Sequence, residues 1–142
     1  MRIYLIGSLK NPYIPTIGKR LRELGHSVFD DWHSCGPTGD VDWRHYHQAR
    51  GDNYAEALKG KAAKLHFDFD MQHLAEADAG ILILPAGKSA HLELGLLAGW
   101  GRPTFVFFDA VPHDWDLMYK IADHVFFDEE KLLHHFAKRA TE

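Results

Sequence analysis

The stretch AGILILPAGKSAHLELGLLAGWGRPTFVFFD, residues 79–109, decides the fold. Its first part, AGILILP, is the most apolar run in the chain and reads as a central strand. Ser89 then stands where it can cap a helix from Ala90 to Trp100. Gly101-Arg102-Pro103 ends that helix, and TFVFFD, residues 104–109, is a second apolar strand. The order strand, helix, strand implies a parallel pair covered by a helix.

The same stretch holds an acid in an apolar setting. Glu93 lies among Leu92, Leu94, Leu96 and Leu97, which leave it little solvated face. Acids are seldom buried without a partner. Close to the first turn of its helix, peptide dipoles favour the ionised form that a nucleophile needs. A structural Glu, paired with backbone N–H groups or with a cation, fits the residues equally well.

Outward from this stretch the alternation continues. RIYLIGS, residues 2–8, is a buried strand ending in Gly7-Ser8, and residues 15–24 place Ile17, Leu21 and Leu24 at helical spacing before Gly25. HSVFDD, residues 26–31, is a strand. Residues 32–53 are aromatic, polar and irregular, and read as a long functional loop. Residues 54–66 read as helical with Gly60 as a weak point, and FDFDMQHLAEAD continues with Phe67, Met71 and Leu74 on one face. A short helix at 114–123, a strand at 124–127 and a closing helix capped by Asp128 complete the chain. The fold class is therefore α/β: a single domain over 1–142, with a five-stranded, mainly parallel sheet of flavodoxin or Rossmann type and helices on both faces. Ligands in such sheets sit beyond the carboxyl ends of the strands, here Gly7-Ser8, Asp30 to Trp32, Pro85 to Ser89, and Asp109.

Composition narrows the function. The chain has 142 residues, 46% hydrophobic and 25% charged, with 16 Lys+Arg against 20 Asp+Glu and a net charge of -4. That balance argues against a surface made for nucleic-acid phosphates. Cys35 is the lone cysteine, which excludes an internal disulfide and fits a cytoplasmic setting. No run has the length of a membrane span, and the N-terminus reads as a strand and not as a signal peptide. His33, Cys35, His45 and His47 lack the paired spacing of a structural zinc site, so no metal is expected. Gly87-Lys88-Ser89 lacks the upstream glycine of a phosphate-binding loop, which argues against a nucleoside triphosphatase. Trp32, Trp43 and Tyr46 suit stacking on a base, or packing of the loop onto the body. Asp70 can be a second carboxylate in the cleft, although Asp68, Asp70 and Glu76 also suit the wet face of a helix.

Four segments in order carry a resemblance: IYLIGS, DMQHLAEADAGILIL, GKSAHLELGLLAGWGRP and WDLMYKIAD. Together they resemble the nucleoside 2-deoxyribosyltransferase family, which includes 2'-deoxynucleoside 5'-monophosphate N-glycosidases. The likeness runs from Arg2 to about Asp123; residues 32–65 lie outside it and read as an insertion. It implies that Glu93 is the nucleophile, that Asp70 handles the proton at the base, and that Tyr4 lies near the sugar and the nucleophile. It further implies that Gly7 and Ser8 line the pocket, together with Trp32, Gly87 and Ser89. Asp116 and Met118 fall on a segment that family members lend to a neighbouring subunit, with Asp116 where many members have Asn. One departure is Gly87-Lys88-Ser89-Ala90 in place of Asp-Asp-Gly-Thr, which removes an acid used in base recognition.

The activity implied is cleavage of the N-glycosidic bond of a 2'-deoxynucleoside through a deoxyribosyl-Glu93 intermediate. The sugar then passes to another nucleobase, a step of nucleoside salvage. The implied partners are a nucleoside or nucleotide, a free nucleobase and further copies of this chain sharing active sites, with no nucleic acid, membrane or cofactor. The alternatives are an N-glycosidase that hydrolyses a nucleoside 5'-monophosphate and a non-catalytic nucleotide sensor. Ser8, Lys88 and Ser89 suit a phosphate, whereas the carboxylate of Asp116 suits a free 5'-hydroxyl.

Overall fold

The chain was examined as a computed structural model that describes residues 1–140. Its apolar runs become strands β1 (Arg2–Ile6), β2 (Ser27–Phe29), β3 (Ala79–Ile83), β4 (Thr104–Phe107) and β5 (His124–Phe126). They form one sheet of order β2-β1-β3-β4-β5. Every neighbouring pair is parallel, so the sheet expected to be mainly parallel is wholly so. The helices are α1 (Ile14–Glu23), α2 (Gly39–Ala49), α3 (Tyr54–Leu58), α4 (Lys61–Glu76), α5 (Lys88–Gly99) and α6 (Glu129–Ala140).

Strand alternation sorts the core onto two faces. Ile3, Leu5, Ile81, Ile83, Phe105 and Phe107 pack with Ile14, Ile17 and Leu21 of α1 and with Leu132 and Phe136 of α6. Tyr4, Ile6, Leu82 and Val106 face the other way, onto Leu74 of α4 and Ala90, Leu94 and Leu97 of α5. Gly80 lets α5 approach β3, since a Cβ there would collide with Leu97 Cδ1. Between β1 and β3 the order of the strands reverses. In open parallel sheets the crevice at such a point, beyond the carboxyl ends of the strands, is where ligands bind.

Several elements differ from expectation. Residues 32–53 are not an irregular loop: a 3-10 helix covers Asp31–Cys35 and α2 follows. The buried residue of α2 is a histidine, His47, paired with Asp52 at 2.9 Å, so no apolar period marked the helix. The weak point at Gly60 is a true break, because Gly60 is the N-cap of α4. Asn53 and Glu56 form a reciprocal capping box on α3. Phe67 points outward at 63% exposure, and only Leu74 of the three residues expected on the inner face of α4 is fully buried. The short helix near residue 118 is a 3-10 turn, Leu117–Ile121. Asp128 caps α6 as expected, accepting from the Lys131 N–H at 3.1 Å.

Helix α5 begins earlier than expected. Gly87 is its N-cap and no side chain caps it, so Ser89 is the second helical residue and not the cap. Glu93 consequently lies in the second turn, beyond the strongest part of the helix dipole. Leu92 is 75% exposed, and the apolar neighbours of Glu93 are therefore Leu94 and Leu97 with Leu96 in part, not all four leucines.

Candidate functional site

Three polar side chains from three elements converge on the α4/α5 face of the sheet. Tyr4, at the middle of β1, is 1% exposed. Its hydroxyl donates a hydrogen bond to the carboxylate of Glu93 on α5. Asp70 of α4 acts electrostatically on both, which places it in the same site. The three meet because β3 brings α5 alongside β1, while α4 crosses the same face.

Burial pushes the Glu93 carboxyl up to about 7; the Tyr4 hydrogen bond opposes this rise and the charge of Asp70 adds to it. The expectation that helix dipoles would keep Glu93 ionised is corrected by that balance: desolvation dominates in the second turn. Asp70 is also raised by burial, with His66 and His73 holding the rise back. Tyr4 is raised by burial first and then by the two carboxylates, so its hydroxyl remains a donor. Two carboxyl groups in one half-buried site, next to a protonated phenol, can divide nucleophilic and proton-transfer work.

The pocket-lining candidates occupy the ends of β1 and β3. Gly7 follows β1, and a Cβ there would lie 2.7 Å from Ile14 Cδ1 and 3.3 Å from the Ile83 oxygen, so only glycine fits unshifted. Ser8 Oγ accepts from the Lys10 N–H at 3.1 Å, shaping the turn after β1. Gly87 and Ser89 open α5. Trp32 donates its indole N–H to the Leu5 oxygen at 2.8 Å and packs against both core faces, which fits the packing alternative for its ring. Trp43 packs on His47 and Tyr54 within the inserted helices. Asp116 and Met118 are exposed, and the Asp116 carboxylate accepts from the Met118 N–H at 2.8 Å. Asp116 is not among the charges acting on Glu93.

Some neighbours were not anticipated. Phe29 of β2 lies 5.0 Å from the Tyr4 ring and stacks on His73 at 3.9 Å, with Phe69 of α4 beside them. This aromatic group extends from Tyr4 along a groove of about 220 Å³. His66 and His73 stand one turn before and after Asp70 in the sequence, a spacing that could have drawn attention to them. His91 and Tyr119 touch across elements far apart in sequence, and nothing in the sequence signals that. Among the described residues, no three or more His, Cys, Asp or Glu side chains are grouped to hold a metal ion. No helix among them is long and apolar enough to cross a membrane.

Fold and site together define a class: a flavodoxin-order α/β domain with a tyrosine and two carboxyl groups beside its switch point. No family model and no curated protein matches the chain. Solved structures do match it. One is the 2-deoxyribosyltransferase of Bacillus psychrosaccharolyticus, with 22% identity, TM-score 0.64, and 94% of this chain and 90% of that one covered. A conserved protein of Enterococcus faecalis V583 gives 15% identity and TM-score 0.69, with 98% of each chain covered. A CMP N-glycosidase of Clostridium botulinum gives 13% identity and TM-score 0.57, with 95% of this chain and 97% of that one covered. At these identities the likeness is one of fold, and it extends over nearly the whole chain.

Proposed function

We propose that this chain, acting as one nucleoside 2-deoxyribosyltransferase-like domain, cleaves the N-glycosidic bond of 2'-deoxynucleosides and passes the sugar to a second nucleobase. One observation carries the reading: Glu93 is half-buried, hydrogen-bonded by Tyr4 and within the field of Asp70. The named activities of the two enzymes of like fold support it. A Glu93 oxygen attacks C1', the bond from C1' to the base nitrogen breaks, and its electron pair leaves with the base. Asp70, desolvated further by the base against it, supplies the proton that makes the base a fair leaving group. The incoming base then attacks C1', its proton passes to Asp70, and Glu93 departs as the carboxylate. Two displacements give retention at C1'.

A second copy completes the site in this reading. Trp115, Leu117 and Met118 are 84%, 77% and 64% exposed and adjoin an apolar cavity of about 370 Å³. Exposed apolar patches of this kind mark interaction surfaces. Gly7, Ser8, Trp32, Gly87 and Ser89 line the substrate cleft, with Asp116 and Met118 offered to the neighbouring subunit.

The second reading, hydrolysis of a nucleoside 5'-monophosphate, is favoured by one feature. The N-terminus of α5 has no side-chain cap, and Lys88 and Ser89 lie in its first turn, which suits a phosphate. A panel of deoxynucleosides and 5'-monophosphates, each with and without a free base, separates the two by chromatography. The transferase reading expects a new nucleoside only when the second base is present. Release of base from a monophosphate alone, with no exchange, selects the hydrolase. Trapping with a 2'-fluorinated analogue, read by peptide mass spectrometry, should place the sugar on the Glu93 peptide. A label elsewhere rejects Glu93 as nucleophile.

A further inference from the structure

His91 lies two residues before Glu93, so the two project roughly 200° apart around α5. It does other work. Its Nδ1 is 2.7 Å from the Gly87 carbonyl oxygen, and its Nε2 is 2.9 Å from the Tyr119 hydroxyl. A carbonyl only accepts, so Nδ1 carries the hydrogen; the neutral ring then presents a lone pair at Nε2, and the Tyr119 O–H donates to it. Burial, followed by the charge of Asp116, pushes the Tyr119 hydroxyl up, so it keeps its proton. The Tyr119 ring is fixed edge-on to Phe108 at 5.2 Å, and its chain neighbour Met118 is held by Asp116.

One imidazole therefore joins two parts of the site that are distant in sequence. At one end is the N-cap of α5, where the loop after β3 turns into the helix. At the other is the 3-10 segment whose first residues are exposed for contact. We infer that His91 is a positioning residue that clasps the Gly87 end of the cleft to the Asp116–Tyr119 segment, so that they form one wall. What the wall binds rests on the glycosyl-transfer reading; the clasp itself does not. Because His91 faces away from Glu93, losing it loosens substrate binding more than it slows the chemistry.

The test is a double-mutant cycle of His91→Ala and Tyr119→Phe, with His91→Gln as the conservative variant. Glutamine retains a donor and an acceptor. Losing one hydrogen bond should raise KM for the deoxynucleoside by about fivefold in either single variant. The double variant should show no further rise, since both changes remove the same contact. Turnover should fall by less than KM rises, and His91→Gln should recover part of the loss. A second readout needs no substrate: amide hydrogen exchange of the peptide covering 115–121 should quicken in both single variants and equally in the double. Additive KM effects, or exchange that stays at the wild-type rate, overturn the clasp. If wild-type protein processes no nucleoside, the functional reading fails, and the exchange result alone decides the clasp.

Discussion

Replacing Tyr4 by Phe removes one hydroxyl from the middle of the site and leaves the buried ring in place. Tyr4 is 1% exposed and packs on Phe29, so the phenyl ring fills the same space. What changes is the carboxylate of Glu93, which loses its phenolic donor while its burial persists. A hydrogen bond to a charged group contributes about 1.5–3 kcal/mol. At about 1.4 kcal/mol per pH unit, its loss carries Glu93 from about 7 to between about 8 and 9. Only ionised Glu93 attacks C1', so the acid limb of kcat/KM should move alkaline by about one to two pH units. At pH 7 the ionised fraction falls from about one half to between about one in ten and one in a hundred. Activity at that pH should therefore drop about 5- to 50-fold, and most of it should return above pH 9. The assay is a pH–rate profile of both proteins, with the Glu93 titration followed in parallel by carbon NMR of labelled glutamate. An unmoved acid limb, with a loss equal at every pH, would refute the argument. Tyr4 would then act on geometry and not on the charge of Glu93.

Other outcomes follow from the same site. Glu93→Gln should abolish turnover yet stabilise the fold at high pH. The folded value of about 7 lies above the ordinary 4.5, so the folded state binds the proton more tightly. Stability from that proton is full below pH 4.5 and is lost as pH rises through 7, a difference of about 3 kcal/mol. Urea midpoints of wild type and Glu93→Gln should thus agree at pH 4 and separate at pH 8, and equal midpoints at pH 8 would contradict the burial argument. Mixing inactive Glu93→Ala with inactive Asp116→Ala should restore part of the activity once subunits exchange, whereas a fully active monomer in sedimentation would exclude the shared site. Exchange of bases should survive a strong chelator, because Glu93 and Asp70 carry the proposed steps; activity lost to the chelator and regained with a metal ion would reject this scheme.

The sheet was legible because its signals are local. AGILILP and TFVFFD announce buried strands by composition alone, and the Gly-Arg-Pro between them ends a helix in any context. The inserted helices were not legible. α2 buries a histidine held by Asp52, so its inner face carries no apolar stripe. The start of α5 was misplaced because Ser89 has the chemistry of a cap, while the cap itself is a glycine whose carbonyl is engaged by His91. The partners of Glu93 were suggested by resemblance, not by pattern. Tyr4 lies 89 positions away in the sequence, and only the pairing of β1 with β3 brings it close. The aromatic group of Phe29, Phe69 and His73 depends in the same way on α4 crossing the β1 side of the sheet.

That dependence on topology bears on the chemistry. A carboxylate in the first turn of a helix is held ionised by the backbone, whatever sheet lies beneath it. Glu93 has moved past that turn, into a place where burial alone would keep it protonated at neutral pH. The opposing force comes from another element, a tyrosine hydroxyl on a strand whose other buried side chains, Ile3, Leu5 and Ile6, are aliphatic. Were β3 paired anywhere but beside β1, α5 would cover a different strand and Glu93 would lose that donor. The switch point thus does more than open a crevice. It places a phenol under the acid and draws the ionisation of Glu93 back toward the pH at which a cell works.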